Sequence, residues 1–252
     1  MNLLRCILVS MGITCNILTL SAQQYTGMSG LIHVPTAEMD KEGDARIGVH
    51  FLNREMTPNE SFFYNNGKKY HTFSHYLSFT PFSWMELGYT CTLLRKKSKP
   101  SDSSIGHYGL KDRYFSLKLR PLKEGKWWPA IAVGCNDFWD SRASVSGEGG
   151  ELYFGNLYAA ASKHFDIGLH EVGVHVAYRH YRRKYNKKWD GPTGGITYCP
   201  SFARNLRVIA EYTGNEINVG ADCLLWRHLL LQVSLQDGKY FSGGVCFCIN
   251  LL

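Results

Sequence analysis

Ser162, His164 and Asp166 are the residues whose types could carry covalent chemistry. Serine hydrolysis needs the hydroxyl and an imidazole within hydrogen-bond reach, with a third group orienting the ring. Here the spacing is i, i+2 and i+4, in a segment that alternates like a strand. A strand rises about 3.3 Å per residue, so the three share a face but stand roughly 6.6 Å apart in succession. That is too extended for a nucleophile and its base. The ten histidines also invite a metal reading. His71 and His75 sit four apart, a helical spacing, but within strand-like sequence; His164 and His170 flank a short turn. The histidines are read as solvent, girdle or lumen groups.

Cys91, Cys135, Cys199, Cys223, Cys246 and Cys248 form neither a CxxC pair nor a zinc-like cluster. Each falls inside a strand-like segment and reads as a small apolar filler, with nothing to indicate disulfides. Gly147-Glu148-Gly149-Gly150 lies in a polar connector and reads as flexibility rather than a phosphate loop. The expectation is therefore no catalytic residue, no cofactor and no metal ligand.

Charged residues on strand faces are more informative. Lys118, Arg120, Arg207, Glu211 and Asp222 occupy polar faces and are too many for a dry core. They are the candidate polar network of a wet lumen. Glu211 and Asp222 flank the hairpin at Gly214 to Glu216 and are expected to approach each other, with Arg207, Lys118 and Arg120 completing the set. Stabilisation by paired charges is favoured over a lining for a saccharide or its ions. Lys118→Arg is expected to be nearly silent.

The elements that must hold these residues keep a regular beat. In Arg113 to Arg120, Phe115, Leu117 and Leu119 share one face, and Ser116, Lys118 and Arg120 the other. Leu229, Leu231, Val233 and Leu235 alternate with Gln232, Ser234 and Gln236, and Val172, Val174, Val176 and Tyr178 with Gly173, His175 and Arg179. Long polar connectors cover 54–69, 95–110, 140–150 and 181–193. Short ones fall at Pro81-Phe82-Ser83, Leu122 to Gly125, Asp166 to Leu169 and Pro200 to Asn205, and the last three connectors are all tight. Strands of about ten residues with connectors alternating long and short fit an outer-membrane barrel. Aromatic residues gather at segment ends, where interfacial girdles sit: Phe82 and Trp84, Trp127 and Trp128, Phe138 and Trp139, Trp226, Tyr240.

The fold class expected is all-β: an antiparallel up-and-down transmembrane barrel of about twelve strands. Of the 252 residues 44% are hydrophobic, ordinary for a globular protein and low for a helical membrane protein. With 15 tyrosines and 13 phenylalanines the composition suits strands. Residues 1–22 read as a signal peptide: Arg5, an apolar run from Cys6 to Leu20, and a small-residue cleavage site at Ser21-Ala22. Residues 23–41 form an N-terminal lead-in, periplasmic or lumen-lining, and 42–252 the barrel. Twelve crossings from Asp44 put both termini in the periplasm and the long connectors outside. The net charge is +7. The basic runs Arg95-Lys96-Lys97 and Arg182-Arg183-Lys184 with Lys187-Lys188 read first as solvated loops, and second as contacts for acidic lipopolysaccharide or polysaccharide. Export argues against nucleic acid as a partner.

Several strings, in order, resemble the YjbH-like family of outer-membrane β-barrel proteins linked to exopolysaccharide production. They are Gly30-Leu31 with Pro35-Thr36-Ala37; Asp112-Arg113 with Leu117-Lys118; Trp128 to Gly134 with Asp137; Tyr158 with Ser162-Lys163; and Ala210-Glu211-Tyr212 with Asn218-Val219-Gly220. Larger members of that family run well beyond this length, so the resemblance implies a short, single-barrel version. Phe138-Trp139-Asp140-Ser141 lacks the Gly-Thr-Gly associated with that loop. The resemblance implies location in the cell outer membrane and a pathway, with outer-membrane lipid, polysaccharide and other envelope-assembly proteins as partners; it brings no catalytic residues. Three functions follow in order of preference: a non-enzymatic barrel for exopolysaccharide or cell-envelope polysaccharide production or export, a general small-solute channel, and a membrane-embedded lipid- or glycan-modifying enzyme.

Overall fold

The structure is a computed structural model that describes residues 23–58, 64–65, 68–96, 107–140, 153–182 and 184–252. The signal-peptide assignment and the centres of the longest connectors, including Lys97, Ser101, Gly147 to Gly150 and Arg183, lie outside the described residues.

Twelve antiparallel strands close into one barrel. They are β1 (Asp44–Leu52), β2 (Thr72–Phe82), β3 (Met85–Lys96), β4 (His107–Leu122), β5 (Ala130–Asp140) and β6 (Asn156–Ile167). The second half is β7 (His170–Tyr181), β8 (Gly191–Cys199), β9 (Leu206–Tyr212), β10 (Ile217–Leu225), β11 (Leu229–Gln236) and β12 (Tyr240–Asn250). Each strand pairs with its sequence neighbour, and β1 pairs with β12 from Asp44↔Asn250 to Phe51↔Gly243, which closes the ring. Closure removes the unpaired edges that an open sheet would expose. Among the described residues no helix is long and apolar enough to cross a membrane, which says nothing of crossing by strands.

Alternation sets which solvent each face meets. On β4, Phe115 points outward and is exposed, while Ser116 and Lys118 are buried. On β11, Leu231, Val233 and Leu235 are exposed, and Gln232, Ser234 and Gln236 are buried. The apolar side is thus the outer one and the polar side the inner one, the reverse of a soluble barrel.

Strand ends differ from the expected ones by a few residues. β2 runs through Pro81 and Phe82, so its turn is Ser83-Trp84 rather than Pro81-Phe82-Ser83. β4 reaches Leu122, moving that connector to residues 123–129. The turn at Asp237-Gly238 has positive φ at both residues, 52° and 64°, the geometry that Asp-Gly favours in a two-residue hairpin. Trp226 and Arg227 take the same left-handed conformation at 49° and 65° without a glycine. Their side chains lie at the rim, where an exposed Trp226 joins Trp84, Trp127, Trp128 and Phe202 at the short-connector end. At the opposite rim Phe51 packs on Phe73 and Phe241, at centroid distances of 5.5 and 6.2 Å.

Candidate functional site

The bore is occupied by the chain itself. Residues 23–40 contain no strand longer than an isolated bridge, and all but Glu38 are buried. They are held by inward-facing side chains from around the wall. Thr90 on β3 donates to the Thr26 carbonyl at 2.6 Å, and Glu86 accepts the Ser29 N–H at 2.8 Å. Arg179 on β7 donates to the His33 carbonyl at 2.7 Å, and Ser162 on β6 accepts the Ala37 N–H at 2.9 Å. Arg46 on β1 pairs with Asp40.

The tightest seat belongs to the turn between Gly30 and Pro35, which are themselves bridged. The Glu211 carboxylate accepts the N–H groups of Ile32 (3.0 Å), His33 (2.8 Å) and Val34 (3.0 Å), and the Asn218 amide at 2.7 Å. Three consecutive amides converging on one carboxylate satisfy donors that burial would otherwise leave unpaired. The strands on either side of Glu211 are cleared for this turn. A Cβ at Gly220 would lie 3.0 Å from Ile32 Cδ1, and one at Gly195 would strike Leu31 Cδ1. Leu31, Ile32 and Val34 then pack with Ile209 in a small apolar cluster.

The five residues expected to form one lumen network are placed differently from one another. Register sets Arg207 opposite Asp222 and Glu211 opposite Asn218, so the two carboxylates sit on different rungs and are not partners. Arg207 pairs with Asp222 at 3.0 Å. Lys118 lies across the barrel, opposite Glu86 on β3 at 3.8 Å, and donates to the Ser29 hydroxyl at 2.7 Å. Arg120 is half-buried at the short-connector rim and donates to the Ser83 carbonyl at 2.7 Å. What joins the two sides is Glu38, on no strand at all: Lys118 donates to its carbonyl, and Arg207 reaches its carboxylate at 3.2 Å. Lys118 is fully enclosed rather than bathed, so the expected indifference to Lys118→Arg does not follow from its surroundings.

Ser162 does meet an imidazole, but not that of His164. The β6–β7 register sets Ser162 opposite His175, and Ser162 Oγ lies 2.9 Å from His175 Nδ1. The remaining ring nitrogen of His175 meets the Thr197 hydroxyl at 3.2 Å, where acyl-transfer chemistry would place an orienting group. The Ala37 N–H also caps Ser162 Oγ. Asp166 is exposed near the turn and opposite Glu171. His164 instead bridges Glu38 (3.2 Å) and Glu124 (2.7 Å). In the connector, Glu124 is held below the usual carboxylate range: burial raises its pKa, but hydrogen bonds from His164 and Lys163 outweigh it. Glu38, Glu86 and His175 escaped notice because their partners lie across strands or 40 residues and more along the chain. The only signal in the sequence for Glu86 and His175 was their place on polar faces, and Glu38, on no strand, had none.

At the long-connector end, residues Lys184–Trp189 form a short 3-10 segment over the bore. Trp189 is buried and donates to Glu216 at 2.7 Å, and its ring packs 5.3 Å from His33. Lys188 pairs with the same carboxylate at 3.0 Å.

The chain is 30% identical to the uncharacterized lipoprotein YjbH of Escherichia coli (strain K12), over 91% of this chain and 35% of that protein. It therefore spans about a third of that relative's length. Among solved structures it is similar to outer membrane phospholipase A of Escherichia coli, with 12% identity, a TM-score of 0.36, and 82% of this chain and 95% of that one covered. It is also similar to Wzi, an Escherichia coli outer membrane protein involved in group 1 capsule assembly, with 13% identity, a TM-score of 0.31, and 77% and 54% covered. At these TM-scores no role passes from either structure to this one. Residues 22–251 match the family described as exopolysaccharide biosynthesis protein YbjH, and the chain belongs to that YjbH family.

Proposed function

We propose that this protein is a non-enzymatic barrel of the outer membrane that takes part in producing or exporting exopolysaccharide or another cell-envelope polysaccharide. The observation that carries the reading is the threaded bore, in a chain of an exopolysaccharide family. A general solute channel of twelve strands would need that bore free, because open aqueous channels belong to wider barrels. Here it holds residues 23–40, fixed by Glu211, Arg179, Lys118 and Glu86. In the same reading, residues 1–22 direct export, 23–41 are the seated lead-in and 42–252 the barrel. The short-connector end faces the periplasm and the long connectors face outward.

Deleting the gene tests this. The expected result is altered surface glycan or biofilm matrix with unchanged uptake of small solutes. Altered uptake with normal glycan would instead support a channel. A lost lipid or glycan modification, reproduced by Ser162→Ala alone, would support an enzyme.

A further inference from the structure

Near the short-connector end three residues of metal-ligating type converge from separate parts of the chain. Glu38 comes from the bore segment, His164 from β6 and His175 from β7. One ligand atom from each lies within 4.8 Å of the other two. A shell with nitrogens about 2.0–2.1 Å from a tetrahedral ion would bring donors to roughly 3.4 Å. Side-chain adjustment covers that difference.

The rings are already oriented for such a centre. His164 Nδ1 is engaged by Glu124 Oε2 at 2.7 Å, which leaves Nε2 toward Glu38 Oε1 at 3.2 Å. His175 Nδ1 is engaged by Ser162 Oγ at 2.9 Å, and its Nε2 meets the Thr197 hydroxyl at 3.2 Å, a contact that an ion would replace. Metal-binding histidines are held this way, with the second ring nitrogen fixed by a carboxylate or another oxygen. Gly173 keeps the space between them open. A Cβ there would lie 2.8 Å from His175 Nε2 and 3.0 Å from His164 Cδ2, and would strike Thr197 Oγ1.

Charge points the same way. Among the described residues of this group, Glu38, Asp222 and Glu124 supply three carboxylates against Arg207 and Lys163. Arg207 is shared between Asp222 and Glu38, and Lys163 is matched by Glu124, so the remaining negative charge is balanced by the proton on His164, which a metal ion would displace. Imidazole nitrogens beside one carboxylate suit zinc and its neighbours, not calcium or magnesium, which take oxygen shells. Access exists, because His164 and Glu124 are partly exposed at the rim.

We propose that Glu38, His164 and His175 bind one divalent transition-metal ion of the zinc class, with water completing the shell. The ion takes the place of the proton shared by His164 and Glu38. It ties the bore segment to two adjacent strands.

The test uses the full mature protein, folded in detergent, stripped with chelator and titrated with zinc alone against a chromophoric competitor. One tight equivalent is expected. Glu38→Gln, His164→Gln and His175→Gln should each weaken it at least tenfold while the folded, heat-modifiable band persists. Should a variant fail to fold, X-ray absorption on zinc-loaded wild-type protein decides. Two imidazoles in a nitrogen and oxygen shell at about 2.0 Å are expected. No tight equivalent in the wild type, equal binding by all three folded variants, or a shell with fewer than two imidazoles would overturn the proposal.

Discussion

Glu211 and His33 are 178 residues apart in the chain, and the His33 N–H donates to Glu211 Oε1 at 2.8 Å. The contact joins two of the strings by which the sequence resembles its family. Gly30 to Ala37 forms the turn, and Ala210 to Tyr212 with Asn218 to Gly220 forms its seat. A motif that looks like scattered glycines and small residues is one interlocking surface.

Glu211→Ala should unseat the turn. It strips the acceptor from three buried N–H groups, each costing about 1–3 kcal/mol when left unpaired. Glu211→Gln keeps an acceptor oxygen and should lose less. The temperature at which the folded band converts to the unfolded one on a gel reads this directly. Equal shifts for both variants would show that the carboxylate does not hold the segment.

Facing can be separated from charge. Leu117→Arg, on the outer face of β4, should cost roughly 2–4 kcal/mol near the midplane of a bilayer. Lys118→Arg keeps the charge but forces a larger, forked head into the enclosed space between Ser29, Glu38 and Glu86. It should cost roughly 1–3 kcal/mol as overpacking. Unfolding in urea from lipid vesicles gives both values. A silent Lys118→Arg would mean that this part of the bore is wet and yielding.

Much of the fold was legible. Arg113 to Arg120 shows both faces of its strand, and Asp237-Gly238 shows its turn. The count of twelve strands follows from the connectors. The site was less so. The pairing of Ser162 with His175 depends on the β6–β7 register, which the sequence of either strand leaves open. Spacing along one strand set His164 too far from Ser162, and its ring turns to Glu124 and Glu38. Glu38 lies in an irregular segment with no periodicity to mark it, yet Arg207, His164 and Lys118 all meet there.

Acid should loosen the long-connector end. Glu216, in the turn before β10, has its pKa lowered: burial raises it, but bonds from Asn215, Lys188 and Thr213 outweigh that. A depressed carboxylate gives stability that is present above its unfolded value, about 4.3, and is lost as pH falls through the folded value. Protection of the Lys184–Trp189 amides, corrected for the pH-dependent intrinsic exchange rate, should therefore fall below about pH 4, and Glu216→Gln should show the lower protection at neutral pH. Protection independent of pH in the wild type would contradict the role of this carboxylate.

Orientation has its own readout. In a variant without native cysteines, a single cysteine at Lys187 should react with an impermeant thiol reagent on intact cells, and one at Ser83 should not. The reverse pattern would invert the barrel.

The threaded bore is the central claim, and photo-cross-linking at Tyr25 tests it most directly. This ring packs 5.8 Å from Phe154 and 4.5 Å from His33, in a cluster that includes Tyr114. Benzoylphenylalanine in place of Tyr25 keeps an aromatic side chain there, and mass spectrometry maps the attachment. The predicted result is intramolecular linkage to peptides holding Tyr114 and Phe154. Linkage only to other proteins, or none within the chain, would contradict it.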